Sequence, residues 1–161
     1  MSARPLRRVS ALVGGVLLAV VALTGCTPAV SLEAAADATD PGCAEVIVRL
    51  PDTVADQPKR ETDAQATGAW GSPASVLLRC GVADTGPTTL PCVDVNGIDW
   101  VRDDSDAPIY RFTTFGRTPT TEVIVDQGAV SGTTALVDLT NAVQVVPQTA
   151  KCTDISDSFS G

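Results

Sequence analysis

The sequence predicts a single α+β domain: a mainly antiparallel sheet of about five strands, with two helices packed on one face near the two ends of the domain, stapled by disulfides. Three observations carry this reading. Short apolar runs separated by Gly, Pro, Asn and Asp recur through residues 75–126, the pattern of strands joined by tight turns. Residues 41–50 and 133–146 instead space their apolar positions by three and four, as amphipathic helices do. Cys43, Cys80, Cys92 and Cys152 supply an even number of cysteines spread over the whole region.

Taken in order, the chain opens with Arg4, Arg7 and Arg8, an apolar stretch over 9–23, and Leu23-Thr24-Gly25-Cys26. About fifteen apolar residues are too few for a membrane span, which needs roughly 18 to 20. The last four residues instead form a lipobox, the sequence read by the bacterial lipoprotein pathway. Residues 1–25 are therefore expected to be a signal peptide that is removed, with Cys26 carrying a diacylglyceryl thioether and an N-acyl chain. Two or more chains give stable retention where one gives only marginal binding. The expected location is the outer face of the cytoplasmic membrane, extracytoplasmic and lipid-anchored.

Residues 26–40 read as the lipidated cysteine and a short tether. Within them Val30-Ser31-Leu32-Glu33 alternates, so a short strand could dock the tether on the domain. The globular region is expected over 41–152, with residues 153–161 a frayed polar tail. Asp40 before Pro41 makes a helix start, the carboxylate as N-cap and proline where no amide donor is needed. That helix runs to about Leu50 and stops at Pro51, with Cys43, Val46, Ile47 and Leu50 on its apolar side. Residues 53–67 are polar and read as a surface loop, with a short strand near 59–62.

Strands follow at 75–82, at 92–95 and 98–102 around Asn96-Gly97, at 109–115 and at 122–126. The Asn-Gly pair fits a type I′ turn, where both positions need positive φ. Residues 103–108 and 116–120 read as turns. The second helix is expected over 133–146, with Leu136, Leu139, Val143 and Val146 in one stripe and Pro147 ending it. Four cysteines admit three pairings. The preferred one joins Cys80 with Cys92 across a short loop and Cys43 with Cys152 across the two ends, worth roughly 3 and roughly 4 to 5 kcal/mol in the chain-entropy model.

Composition narrows function mainly by exclusion. Loss of residues 1–25 removes three arginines and no acid, so a net charge of −8 becomes −11, with eight Lys and Arg against nineteen acids. Phosphate neutralisation needs clustered cations, so nucleic acid is excluded as a partner. The chain has no histidine, which excludes Ser-His-Asp and Cys-His catalysis, histidine metal ligation and histidine pH sensing. Ser131 lies in Gly128-Ala129-Val130-Ser131-Gly132, off-centre for a nucleophile elbow and without a base. It reads as the turn that opens the second helix. Lys59 and Lys151 are the only lysines, and neither follows a Ser-x-x-Lys pattern.

Asp103, Asp104 and Asp106, with Asp99 just before them, are dense enough to suggest a Ca²⁺ loop, but their spacing is not that of an EF-hand. They read as a solvated turn, and no metal or other cofactor is expected. Trp70 and Trp100 are expected first as core bulk. A sharper expectation is that a tryptophan lines a groove with Arg79 or Arg117, where a guanidinium beside an aromatic could clamp an anionic group. The plain alternative for Arg117 is a structural ion pair.

Ala69-Trp70-Gly71-Ser72-Pro73, Leu78-Arg79-Cys80-Gly81, Val95-Asn96-Gly97-Ile98-Asp99-Trp100 and Thr113-Thr114-Phe115-Gly116-Arg117-Thr118-Pro119 occur in an order that resembles the actinobacterial lipoproteins of domain of unknown function 3515. The resemblance covers nearly all of the region after Cys26, including Val30-Ser31-Leu32 and residues 41–43. It implies an envelope-associated lipoprotein with no established catalytic set, and it places Val30 to Leu32 in the domain. The functional expectation is a non-catalytic binding or interaction module of the cell envelope, docking an unidentified envelope protein or ligand. The alternative is a small hydrolase or accessory factor for peptidoglycan or another envelope polymer.

Overall fold

The computed structural model describes residues 27–152; residues 1–26, where the signal peptide and lipidated Cys26 are expected, and residues 153–161, expected as a tail, lie outside the described residues. Helix α1 (Pro41–Ile47) is followed by strands β1 (Thr53–Val54), β2 (Gln57–Arg60), β3 (Thr67–Trp70), β4 (Val76–Val82), β5 (Cys92–Val95), β6 (Ile98–Asp106), β7 (Ile109–Thr114) and β8 (Thr120–Asp126), and then by α2 (Gly132–Val143). The strands form one antiparallel sheet in the order β1-β2-β3-β4-β8-β7-β6-β5. The sheet therefore has eight strands, not about five. Among the described residues no helix is long and apolar enough to cross a membrane.

The extra strands lie in and just after the stretch read as a loop. Ala55 and Asp56 turn the β1–β2 hairpin with φ of 47° and 60°, and Ala66, at φ 56°, leads into β3. These turns use left-handed backbone on residues other than Gly or Asn, so the usual turn signal is missing. The strain is held by tertiary contact: the Ala55 amide donates to Asp138 Oδ2 on α2 at 2.8 Å. Strand β3 escaped notice for another reason. All four of its residues are buried, so no alternation marks it.

The other boundaries shift less. Asp40 caps α1, accepting from Gly42 N at 2.7 Å, and a tight turn carries the chain from Ile47 to Leu50. The β5–β6 hairpin turns on Asn96 and Gly97, both at positive φ. Strand β6 runs on to Asp106, so the three acids expected in a turn lie on a strand, with Asp103 opposite Arg111 of β7. Opposite charges facing across two strands support that polar extension.

The core fills the space between the helices and one face of the sheet. Val76, Leu78 and Cys80 of β4 and Val123 and Val125 of β8 meet Cys43 and Val46 of α1 and Leu136, Leu139 and Val143 of α2. Helix α2 touches β8 near the middle of the strand order and also β1 and β5 at its two ends. The sheet thus curls around α2, and both edge strands are shielded where they meet it.

The disulfides pair Cys43 with Cys80, Cα atoms 5.5 Å apart, and Cys92 with Cys152, 6.3 Å apart. This corrects the expected Cys80–Cys92 and Cys43–Cys152 pairing. Three strands separate β4 from β5. At about 4.8 Å per strand, Cys80 and Cys92 lie roughly 19 Å apart, beyond the roughly 7 Å a disulfide can bridge. Proximity in sequence misled because the 83–91 loop crosses the width of the sheet.

The segment before α1 is bonded to the domain almost from its first described residue. Arg60 Nη2 donates to the Pro28 carbonyl at 2.9 Å. Val30 donates to Glu61 O at 2.8 Å and forms a single parallel bridge with Thr62. The Leu32 amide donates to Asp63 Oδ1 at 2.9 Å, and the Asp37 amide to Gly81 O at 3.0 Å. At Gly81, with φ of 88°, any Cβ would collide with the Asp37 backbone, so glycine is what lets this crossing pack.

Candidate functional site

A cavity of about 820 Å³ opens beneath the 83–91 loop, at the end of the sheet where β5, β6 and the β7–β8 connection meet. Its floor is two chain segments crossing in close contact. The Thr149 amide donates to Gly116 O at 2.7 Å, its hydroxyl donates to the same oxygen at 3.0 Å, and Arg117 bridges Gln148. Gly116 has φ of 65°, and a Cβ there would run into the Ala150 carbonyl. Cys92 and Cys152 both line the cavity and lock floor to wall. The roof is built from Pro87, Thr88, Thr89, Leu90 and Pro91, with Asp84 at its far end.

Arg117 lines this cavity although it is only 7 % exposed. Nη1 donates to Val146 O and Nη2 to Gly97 O at 3.4 Å, while Nε finds no partner. Burial draws the guanidinium below its ordinary pKa, and the Asp99 carboxylate pulls the other way. Among the described residues no carboxylate comes within ion-pair distance of it. Asp99 Oδ2 instead accepts from Gln148 Nε2 at 2.9 Å and from the Cys152 amide at 2.8 Å. Arg117 is thus held by carbonyls rather than by the expected ion pair. A buried N–H left without an acceptor costs about 1–3 kcal/mol.

The four residues read as candidates for one groove do not come together. Trp70 and Trp100 are fully buried core residues; Trp70 Nε1 donates to Pro51 O at 3.0 Å, and Trp100 Nε1 is unpartnered. Neither lines the cavity, which corrects the groove expectation. In a chain with so few aromatics their bulk is consumed by the core. Arg79 lies on the sheet face away from the helices, its Nε and Nη2 donating to Glu122 Oε1 at 3.0 and 2.7 Å, with Arg111 3.7 Å from Oε2. Arg79 and Arg111 also border a shallower hollow of about 400 Å³ with Ser31, Leu32 and Glu33.

The remaining candidates serve local structure. Ser131 caps α2, its Oγ accepting from Thr134 N at 3.3 Å. Asp103 Oδ1 accepts from the Ser105 amide at 3.0 Å, a bond that holds its carboxyl below the usual range. Asp104 lies 3.3 Å from Arg102. Among the described residues no group of three or more His, Cys, Asp or Glu is placed to hold a metal ion.

Sequence reasoning missed Asp99, Gln148 and the whole 83–91 roof as parts of one site. Asp99 did leave a signal: it alternates with Ile98 and Trp100, both core residues, so its side chain had to emerge on the opposite face. The contacts of Gln148 and the roof depend on the crossing of distant segments and had none.

Fold and cavity together define a class: a small, disulfide-stapled α+β domain with a curled antiparallel sheet and a cavity built at one end of it. The family model described as Protein of unknown function (DUF3515) matches residues 8–152, and the chain belongs to that family. Neither the curated proteins nor the solved structures contain a match to it.

Proposed function

We propose that this protein is a lipoprotein anchored through Cys26 to the outer face of the cytoplasmic membrane, and that its domain is a non-catalytic binding module of the cell envelope. The observation that carries the reading is the docked N-terminal segment. Pro28 is already held by Arg60, so only Cys26 and Thr27 precede the first tie to the domain. Two residues span at most about 7 Å. With Cys26 lipidated, the acidic body sits against the headgroups, and its partner is a protein or ligand within that layer.

The sequence around Cys26 supports the anchor, the two disulfides suit an oxidising compartment, and the cavity offers a built place for a ligand. A chain without histidine, whose Ser131 is a helix cap, favours binding over acyl transfer. Globomycin treatment is expected to arrest cleavage before Cys26 and accumulate a larger precursor, and Cys26→Ala to abolish the lipid-dependent shift in mobility; unchanged mobility under both would overturn the anchor. Crosslinking of the anchored protein in cells, followed by mass spectrometry, is expected to return one reproducible partner. Turnover of peptidoglycan fragments by the purified protein, abolished by acid-to-amide changes, would overturn the non-catalytic reading.

A further inference from the structure

We propose that the Cys92–Cys152 bridge is a thiol–disulfide exchange site: a small dithiol entering the cavity beneath the 83–91 loop reduces it and thereby frees residues 147–152 from the cavity floor. The inference goes beyond the binding-module reading and holds with or without the lipid anchor.

The two bridges differ in what surrounds them. Cys43 and Cys80 are both 0 % exposed and sit in the core between α1 and β4. A thiolate reaches them only when that core opens, which takes much of the global unfolding free energy. Cys92 and Cys152 are half-buried, stand outside the core cluster, and both line the cavity. Its volume of about 820 Å³ admits a small dithiol. Exposed bridges are the labile ones, whereas enclosed structural bridges resist reduction.

The surrounding chain gives the exchange a consequence. None of residues 147–152 is buried, and they form neither helix nor strand beyond the single Arg117–Gln148 bridge. Apart from the disulfide their ties are polar: Gln148 Nε2 and the Cys152 amide donate to Asp99 Oδ2, and Thr149 donates to Gly116 O. With no buried side chain to anchor it, the segment depends on the covalent link to β5. Its release takes both donors from Asp99, which is only 9 % exposed, and removes Thr149 and Ala150 from the lining. The reduced protein then has a wider cavity beside a carboxylate stripped of its partners.

In the exchange, one thiolate of the dithiol attacks a bridge sulfur, the S–S bond breaks, and the other cysteine leaves as a thiolate that takes up a proton. The second thiolate of the dithiol attacks the mixed disulfide at the dithiol's own sulfur, closes a ring and expels the remaining cysteine. Cys92 and Cys152 are reduced to thiols and the dithiol is oxidised to its cyclic disulfide, two electrons and two protons passing from one to the other.

The test treats the full-length protein, its free thiols first blocked with N-ethylmaleimide, with dithiothreitol under native conditions, then quenches with iodoacetamide and maps the peptides. Alkylation at positions 92 and 152 is expected about ten-fold or more faster than at 43 and 80. Leu90→Trp, which narrows the cavity from its roof and is checked for an unchanged melting transition, is expected to slow reduction of the first pair about three-fold or more and leave the second unchanged. On reduction, hydrogen exchange at the Thr149 and Cys152 amides is expected to quicken about ten-fold or more, with the amides of β4 and β8 unmoved. Equal rates for the two bridges, earlier loss of Cys43–Cys80, a rate at positions 92 and 152 indifferent to Leu90→Trp, or Thr149 and Cys152 amides still protected in the reduced protein would each overturn the proposal.

Discussion

The helix-covered face of the sheet and the cavity end of the same sheet are built by opposite means. On the covered face Trp70, Trp100, Leu78, Leu136 and Leu139 are sealed from solvent, and shape does the work. At the cavity end Asp99, Arg117, Gln148 and Cys152 tie crossing segments together through carbonyls, one carboxylate and a disulfide. The first arrangement can be varied only by repacking. The second leaves volume and a roof loop free to change, which is where a fold of this size can carry specificity without endangering its core.

The sharpest way to break this comparison is to remove bulk from the covered face. Trp70→Ala or Trp100→Ala is expected to cost about 3–5 kcal/mol in urea unfolding, whereas Leu90→Ala on the roof should stay within about 0.5 kcal/mol. A roof variant as damaging as a core variant would erase the distinction.

The two disulfides give the next largest contrast. Their loops of 37 and 60 residues are each worth about 4 kcal/mol in the chain-entropy model. Replacing Cys43 and Cys80 by Ala should cost that much or more, because both sulfurs lie in the core. Replacing Cys92 and Cys152 should cost less, since residues 148–152 can detach locally and regain entropy in the native state. Paired unfolding curves, with hydrogen exchange over 146–152, check both halves.

Smaller again is the polar face of the central sheet. Glu122→Gln leaves Arg79 and Arg111 without their shared carboxylate, and a loss of about 1 kcal/mol in thermal unfolding is expected, reduced from a fully buried pair by partial exposure. The smallest effect concerns the docked N-terminal segment. The Leu32 amide and the Ser31 side chain hold the Asp63 carboxyl below its usual range. A depressed folded-state pKa means that docking is fully supported above the ordinary carboxylate pKa and fades as pH falls through the lowered one. Exchange of the Leu32 amide should therefore quicken only in acid, and Asp63→Asn should remove that pH dependence.

Local signals were legible where the chemistry was local. Asp40-Pro41 opens α1, Asn96-Gly97 turns β5 into β6, Ser131 caps α2, and the apolar stripe of Leu136, Leu139 and Val143 faces the core. Regions decided by distant contacts were not. Strands β1 and β2 turn on left-handed Ala55 and Asp56 because α2 holds them through Asp138, and nothing within residues 53–67 announces that partner. Disulfide pairing failed for the same reason, since the strand order sets which cysteines meet. Of the candidate site only Arg117 reached the cavity. Its position after Gly116 was visible, but the segment that completes the floor lies some thirty residues further along the chain.

The most direct measurement places a photoreactive amino acid at Leu90 on the cavity roof or at Val48 beside α1, 75 % exposed, and crosslinks the full-length protein in cells. A discrete adduct from position 90, resolved by mass spectrometry and absent from position 48, is the expected result. Adducts from position 48 alone, or equal labelling from both, would contradict the division between a packing face and a binding end.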